Sequence, residues 1–443
     1  MKNIYPLIIF IIGVFVTFSV FGQQTALEKK VNNGHKPLFV TTAFVSDIKT
    51  ISLSNLESKW NKGEVYYAAK NQSQVWQYFG SKNGIAIHNL DSFARYGYNK
   101  LLICGLENLQ PQLLALSVDS INYFENPVDY PVYLSGYAQV PVPDDFTRIT
   151  ITGVTAITRG TGNVADAKGL DFLIAGVKDQ FQYTDILHIS NEVSFTNDCD
   201  YPAKTMLFCT KKEHFDVLNM LGVDIVELTG NHNRDYGDEA FDETYNWYWE
   251  NGMQTFGGGR NPEEAAKPLV LTLNDGSTIA FVGFNELCPC GECSDKPGES
   301  GANRWNKEQA KSTIDSLRRA GVDFIIVSVQ FGEVDSYEPT PSQKKITHFL
   351  VDAGADLVYG SQAHQIQQFE FYKGKPIMNG LGNFLFDQIH RIGVRQSCFV
   401  HLIFYKGKLI QMRPVFTQMG LDRQLRLATP SEEAEMRKVV VNY

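Results

Sequence analysis

The sequence predicts an α/β fold in which mixed sheets are flanked by helices. One pattern occurs three times in the second half of the chain: a helical segment closes at glycine, an aspartate follows two residues later, and a short apolar strand begins. The three instances are 221–226, 320–326 and 353–358. Glycine suits the left-handed residue that ends a helix, and all-apolar strands after helices indicate sheets covered on both faces. The turn Asn274–Ser277 lies between two apolar runs and predicts a hairpin, so the sheets should be mixed in direction.

The N-terminus predicts export. Residues 1–22 have the form of a secretory signal, with Lys2 before an apolar run from Ile4 to Val20 and the small residue Gly22 at the end. The apolar run is near the lower length limit of a membrane-spanning helix, so a membrane anchor is the alternative. We therefore expect a periplasmic or extracellular protein.

Composition divides the rest of the chain into three parts. Residues 36–135 alternate strand and helix signals and predict a smaller N-terminal α/β unit. A short stretch of this unit resembles periplasmic solute-binding proteins, which suggests a half-lobe for substrate capture. A linker over 136–148 leads to the larger unit, residues 149–420, and residues 421–443 form a charged C-terminal tail with the start of a short helix.

The overall composition is globular, with 43% hydrophobic residues, 20% charged residues and a net charge of −9. No basic cluster is present, so nucleic acid is excluded as a partner. In an exported protein some of the seven cysteines should pair. We expect a disulfide between Cys199 and Cys209, which bracket a short polar loop. The segment Cys288–Cys293 is compact enough for a metal knuckle. It lacks a second cluster at zinc-finger spacing, which favours a loop disulfide with one spare thiol over that alternative.

Polar side chains follow five apolar strands of the larger unit. The five strand ends are Gly153–Arg159, Asn191–Glu192, Gly230–Asp235, Gln330–Glu333 and Gly360–His364. Open α/β sheets carry their chemistry at the carboxyl ends of strands, so these residues should lie together. Gly230 permits a sharp turn that presents Asn231 and His232, and an amide oxygen beside an imidazole suits a borderline divalent metal.

These strand ends, with the run Leu381–Asp387, resemble the CapA family, which is associated with poly-γ-glutamate capsule synthesis. The family pattern comprises a Gly-Asp…Arg turn, an Asn-Leu-Glu turn, an Asn-Asn-His…Asp-x-Gly turn, a His-Trp-Gly-x-Glu turn, a Gly-His-His-Pro-His turn and a Leu-Gly-Asn-Phe-x-Phe-Asp run. The resemblance covers residues 149–390 and holds in the order and spacing of the segments. It implies a calcineurin-like metallophosphoesterase core after the smaller α/β unit.

The departures from the family pattern fall on expected metal ligands. Val154 stands where the family's first aspartate ligand would lie, Gln330 replaces a histidine, and Ser361 and Gln362 replace paired histidines. A two-metal phosphoesterase needs several anionic or imidazole ligands. The resemblance therefore implies one divalent ion of the Zn, Mn or Mg kind. The candidate metal ligands are Glu192, Asn231, His232, Gln330 and His364.

The resemblance also implies roles for other side chains. The candidate catalytic residues are His232, Asp235, Arg159 and Glu192, and the candidate substrate-binding residues are Arg159, Gln362 and Asn383. The planar guanidinium of Arg159 suits a carboxylate or phosphate, and pairing with Asp235 is equally expected. His188, inside an apolar strand, is predicted to be a core histidine, and the aromatic stretch Tyr245–Trp249 is predicted to be core.

The function implied by the resemblance is the synthesis, cleavage, transfer or export of an anionic polymer such as poly-γ-glutamate, with other capsule-assembly proteins as possible partners. If the protein is an enzyme, the expected chemistry is metal-assisted attack of water or an amine on an ester or amide. The alternative is a non-enzymatic binding or scaffold protein of the cell envelope that has lost part of the metal site. The residues at Val154, Ser361 and Gln362 favour the alternative, whereas His232 and His364 favour an enzyme.

Overall fold

The computed structural model describes residues 35–44, 46–135, 143–201, 205–288, 292–332 and 335–440. The predicted signal peptide, residues 1–22, lies outside the described residues, as do Cys290, Glu333 and the first part of the predicted linker. In the part of the chain that is described, no helix is both long enough and apolar enough to cross a bilayer. The chain divides into two compact units, and the division falls between Phe146 and Thr147.

The first unit is built on a five-stranded mixed sheet. Its strands are β1 (Lys36–Pro37), β2 (Phe39–Ala43), β3 (Thr50–Ile51), β4 (Val65–Ala68), β5 (Ile85–Ile87), β6 (Leu101–Cys104), β7 (Leu113–Ala115), β8 (Ser117–Val118) and β9 (Tyr133–Leu134). Its helices are α1 (Leu53–Asn61), α2 (Gln72–Phe79) and α3 (Leu90–Tyr96). The sheet order is β5-β4-β6-β2-β7, with β4 parallel to β5 and β6, and β2 antiparallel to β6 and β7. The large buried side chains Trp60 and Tyr130 fill its core.

The first strand of the second unit is β10, which starts within the predicted linker at Phe146, the last residue before the division. Its strands are β10 (Phe146–Thr155), β11 (Ile186–Asn191), β12 (Ile225–Glu227), β13 (Gln254–Phe256), β14 (Gly258–Gly259), β15 (Leu269–Thr272), β16 (Thr278–Asn285), β17 (Gly301–Ala302), β18 (Phe324–Gln330), β19 (Leu357–Ser361), β20 (Phe369–Tyr372), β21 (Lys375–Met378), β22 (Asn383–Leu385), β23 (Gln396–Tyr405), β24 (Lys408–Met419) and β25 (Leu425–Leu427). Its helices are α4 (Arg159–Lys168), α5 (Leu170–Ile174), α6 (Asp216–Leu221), α7 (Gly237–Glu250), α8 (Pro262–Ala265), α9 (Lys307–Arg319), α10 (Pro341–Ala353) and α11 (Pro430–Val440).

Two large mixed sheets organise the second unit. The eight-stranded sheet has the order β13-β12-β11-β10-β23-β24-β25, with β22 parallel to β10. The six-stranded sheet has the order β15-β16-β18-β19-β21-β20. Strands β10 to β13 are parallel in the first sheet, and β16, β18, β19 and β21 are parallel in the second. The predicted mixed α/β architecture is confirmed, and the turn Asn274–Ser277 joins β15 and β16 as an antiparallel hairpin, as predicted.

The predicted helix ends are also confirmed. Gly222 and Gly354 adopt left-handed conformations, with φ of +74° and +116°, directly after α6 and α10. Gly321, after α9, has φ of +83°. Each glycine ends a helix and leads into one of the parallel strands β12, β18 and β19, so local sequence sets where these strands begin.

A buried polar network joins the two sheets. The carboxylate of Glu227 on β12 accepts hydrogen bonds from the hydroxyls of Thr229, Ser328 and Tyr359. Nε2 of His188 on β11 lies 3.2 Å from Oε2 of Glu227, and both side chains are fully buried. Because Ser328 and Tyr359 belong to the six-stranded sheet, Glu227 links the facing sheets, and the prediction that His188 is a core histidine is confirmed.

Disulfides and the C-terminal segment complete the second unit. The predicted disulfide between Cys199 and Cys209 is confirmed, and a second one joins Cys288 to Cys293. The predicted charged tail is in large part folded: β25 pairs with β24, and α11 buries Met436. Apolar residues spaced along this segment pack on the unit, which the surrounding charged residues obscured in the sequence.

Candidate functional site

Polar side chains stand where parallel strands of both sheets end. Glu192 follows β11, Asn231 and His232 follow β12, Gln330 ends β18, and Gln362 follows β19. The carboxyl ends of parallel strands share one edge of a sheet. The two sheets face each other, so the strand ends bring these residues into one region.

Four of these residues form a group that we call the amide cluster: Glu192, Asn231, Gln330 and Gln362. Nε2 of Gln330 lies 2.9 Å from Oε1 of Glu192 and 2.9 Å from Oδ1 of Asn231, and it also contacts Oε1 of Gln362. A primary amide has two N–H hydrogens, so three oxygens converge on two donors. Oε2 of the buried Glu192 has no hydrogen-bond partner among the described residues. The cluster therefore gathers oxygen atoms around the nitrogen of one amide.

Two histidines near the amide cluster are each oriented through Nδ1. Nδ1 of His232 lies 2.7 Å from Oδ2 of Asp235, and Nδ1 of His364 lies 2.8 Å from Oδ1 of Asn383. Asp235 also accepts a hydrogen bond of 2.6 Å from the backbone N–H of Phe208. An acceptor at Nδ1 fixes the tautomer and orientation of an imidazole. The ring of each histidine is therefore held in place by an acceptor.

Apolar side chains lie between the two histidines. We call this set the apolar cluster; it comprises Val154, Ala156, Val193, Phe208 and Phe386. The ring of Phe208 lies 4.2 Å from the imidazole of His232, and the ring of Phe386 lies 4.8 Å from that of His364. The two phenylalanine rings meet edge to face at 6.5 Å. Val154, where the resemblance places the family's first aspartate ligand, is thus part of a buried apolar cluster.

Two arginines, which we call the arginine pair, share one carboxylate. Nε of Arg159 lies 3.0 Å from Oδ2 of Asp387, and Nε of Arg423 lies 3.1 Å from Oδ1 of the same residue. Among these three groups, two positive charges face one negative charge, an excess of one positive charge. Of the two alternatives expected for Arg159, the pairing with Asp235 is not the one observed. Arg159 pairs with Asp387, and Asp235 contacts His232.

The arginine pair lies against an aromatic ring and a turn with an unusual backbone conformation. The guanidinium of Arg159 lies 4.3 Å from the ring centroid of Phe208, a cation–π contact. Arg159 has φ of +44°, and strained conformations of this kind concentrate at functional sites. A Cβ atom at Gly160 would meet the guanidinium of Arg423, so any larger residue there would displace that side chain. The turn into α4 is therefore shaped around both arginines.

The predicted ligands do not form one metal-binding group. Among the described residues, no three His, Cys, Asp or Glu side chains gather as ligands for an ion. The donors present do not fit a dinuclear centre, because the apolar cluster occupies part of the region and Gln330 offers only a neutral amide. Without the two histidines, the oxygens of Glu192, Asn231 and Gln362 have the chemistry that suits one hard divalent ion, and Oε2 of Glu192 is buried without a partner among the described residues. Such an ion would have to displace the amide of Gln330, whose nitrogen contacts all three side chains.

Sequence reasoning found most of the polar residues and missed three side chains: Phe208, Phe386 and Arg423. Phe386 lies in the run that carries the family resemblance, and Phe208 precedes a cysteine of the predicted disulfide, so both had a local signal. Arg423 had none, because it lies in the predicted tail, 36 residues from Asp387.

Comparisons with known proteins agree with the resemblance. The model of the bacterial capsule synthesis protein family PGA_cap matches residues 148–388. The PGA biosynthesis protein CapA of Bacillus subtilis is 26% identical over 262 residues, which are 57% of this chain and 68% of that protein. The capsule biosynthesis protein CapA of Bacillus anthracis is 26% identical over 246 residues, 54% of this chain and 60% of that protein. The chain thus spans about two thirds of the length of these relatives or less.

Among solved structures, the 5′-nucleotidase precursor of Thermus thermophilus has a TM-score of 0.37 at 13% identity, covering 66% of this chain and 57% of that one. The calcineurin-like phosphoesterase YfkN of Bacillus subtilis has a TM-score of 0.37 at 12% identity, covering 66% of this chain and 98% of that one. The family match extends from β10 through the strand ends to Asp387 and includes more than half of the chain. The protein therefore belongs to the bacterial capsule synthesis protein family PGA_cap.

Proposed function

We propose that this protein takes part in capsule synthesis by binding an anionic polymer of the poly-γ-glutamate kind at the arginine pair. The observation that carries the proposal is the sharing of Asp387 by Arg159 and Arg423, which leaves one positive charge. Each residue of poly-γ-glutamate carries a free carboxylate, and the planar fork of arginine matches a carboxylate with two parallel hydrogen bonds. The names of the Bacillus relatives support this class of polymer.

The chain as a whole is negatively charged, so the positive charge of the arginine pair is important for binding a polyanion. The net charge of −9 disfavours the approach of a polyanion, so binding must come from a short-range contact.

We propose that this contact takes place outside the cytoplasm, after export directed by residues 1–22, together with other capsule-assembly proteins. The N-terminal unit would assist in capturing the polymer.

Cleavage or transfer of the polymer is a second candidate function, supported by the contact between His232 and Asp235. An imidazole oriented by a carboxylate can exchange a proton with an amide or its leaving amine. Glu192, with the amide oxygens of Asn231 and Gln362, would hold one divalent ion, and such an ion polarises a carbonyl when bound. Binding is the better-supported function, because the apolar cluster and the amide of Gln330 take up space that a two-ion centre needs.

The test is a titration of labelled poly-γ-glutamate oligomers followed by fluorescence anisotropy. Replacing Arg159 by glutamine should weaken binding at least tenfold, since a charge-assisted hydrogen bond contributes about 1.5–3 kcal/mol. Raising the salt concentration should weaken the binding of the wild type.

The matched control is Arg148→Gln. Arg148 pairs with Asp185 at 3.2 Å at the opposite end of β10, and its side chain is as exposed as that of Arg159, 20% against 21%. Its replacement should leave the affinity unchanged. Absence of polymer binding by the wild type, or an equal loss in both variants, contradicts the proposal.

A further inference from the structure

A cleft of about 400 Å³ lies at the far end of helix α7 from the candidate site. The helix begins at Gly237, just after Asp235, and its last turns contribute Tyr245, Asn246 and Trp249 to the cleft. A helix of 14 residues is about 20 Å long. The cleft is therefore a separate place on the second unit, and its size is that of a small-molecule site.

The cleft lies where the edges of both large sheets meet. Gln254 of β13 and Leu269 of β15 line it, and these strands stand first in the eight-stranded and six-stranded sheets. Edge strands present backbone N–H and C=O groups. The cleft thus combines side chains with polar groups of the main chain.

The exposed aromatic ring of Trp249 lines the cleft. Trp249 is 59% exposed, although the neighbouring residues Tyr245, Trp247 and Tyr248 are buried. The prediction that the whole stretch is core is therefore wrong for Trp249, because this position faces away from the sheet. An indole presents an apolar face and one N–H donor. The exposed carboxamide of Asn246 adds donors and acceptors beside it.

Most of the charge at the cleft is paired. Nε and Nη2 of Arg260 donate to the two carboxylate oxygens of Glu264 at 3.0 and 2.9 Å, and the guanidinium lies 5.1 Å from the ring centroid of Tyr245. Arg260 also interacts with the carboxylate of Asp242, and Lys267 supplies the second positive charge. The lining thus carries two positive groups and one negative group, and Asp242, outside the lining, adds a second negative charge beside Arg260. Because the charge of Arg260 is already paired with Glu264, an uncharged ligand suits the cleft better than a polyanion.

We propose that this cleft binds a neutral saccharide, such as a segment of an envelope glycan. A sugar ring has an apolar face of C–H groups that can stack on Trp249 and a rim of hydroxyls that can bond to the carboxamides and to the Arg260–Glu264 pair. The cleft offers this combination of a flat apolar surface, amides and a fixed ion pair without net charge. The inference does not rest on polymer binding at the arginine pair. Saccharide binding at this cleft would anchor the protein to a glycan.

The test is isothermal titration of the full chain with two neutral probes, a tetramer of β-1,4-linked N-acetylglucosamine and maltotetraose. At least one should bind, and Trp249→Ala should weaken its binding at least tenfold. The matched control is Tyr183→Ala, which removes another exposed ring (52% exposed) and should bind as the wild type does. Both variants should keep the wild-type circular dichroism spectrum, because both side chains lie at the surface.

Two results of the titration overturn the proposal: neither saccharide binds to the wild type, or Trp249→Ala binds as well as the wild type. Capture of extended peptides at this edge in place of saccharides also overturns it. Arg159→Gln should leave saccharide binding unchanged. A failure here is thereby distinguished from a failure of polymer binding.

Discussion

Replacing Glu227 by glutamine should lower the free energy of unfolding by about 3–5 kcal/mol, because it removes one partner from a buried ionic network. The carboxylate has hydrogen bonds from Thr229, Ser328 and Tyr359 and lies 3.2 Å from His188. A neutral amide in its place would direct N–H groups at some of these donors. Urea denaturation followed by circular dichroism measures the loss.

The pH dependence provides a check on this prediction. Burial alone raises the pKa of Glu227, but the hydrogen bond and charge of His188, with hydrogen bonds from Ser328 and Thr229, hold the pKa below its ordinary value of 4.5. A carboxylate with a lowered folded-state pKa contributes its stability above the ordinary pKa and loses it as the pH falls through the folded-state pKa. The difference between wild type and variant should therefore be constant near neutral pH and shrink in acid.

The matched control is Glu435→Gln. Glu435 is an exposed residue that pairs with Lys438 at the surface, and its replacement should cost less than about 1 kcal/mol. If the loss for Glu227→Gln were as small as that for the control, the network would not hold the two sheets together.

Removing both arginines of the pair should lower the affinity for poly-γ-glutamate at least a hundredfold. The local charge is +1 in the wild type, 0 when either arginine becomes glutamine, and −1 when both do, because Asp387 remains. The double variant Arg159→Gln/Arg423→Gln thus loses two charge-assisted contacts, each of about 1.5–3 kcal/mol, and gains a repelling carboxylate. Fluorescence anisotropy at two salt concentrations measures the change.

A compensating variant sharpens this prediction. Arg423→Gln combined with Asp387→Asn restores the local charge of +1 and keeps an oxygen that can accept from the backbone N–H of Thr161. It should bind the polymer more tightly than Arg423→Gln alone. Equal affinities of the double-arginine variant and the wild type, or no recovery with Asp387→Asn, would show that charge at this place does not govern binding.

The parts of the structure that were predictable are those set by neighbours in sequence. Gly222, Gly321 and Gly354 end helices in left-handed conformations, and the strands that follow are parallel and buried, so the strand ends had to share an edge. The disulfide between Cys199 and Cys209 followed from a short loop.

Partner choice between distant residues was not predictable. Arg159 contacts Asp387, which is distant in sequence, whereas Asp235 contacts His232 within one turn. The amide of Gln330 fills the meeting point of three oxygens, and this depends on the approach of two sheets rather than on local sequence. Trp249 is exposed, although its neighbours on the helix are buried, because the sheet does not cover this position. Local sequence does not show how far the sheet extends.

The number of divalent ions bound by each folded chain tests the central claim most directly, namely that this capsule-family site has no place for a two-ion centre. Purified protein would be dialysed against Mn²⁺, Zn²⁺ or Mg²⁺ in turn, and its metal content would be measured by mass spectrometry. We expect no more than one tightly held ion per chain, and Glu192→Gln should abolish its binding because Glu192 supplies the only carboxylate of the amide cluster. Two ions per chain under any of these conditions would contradict the account.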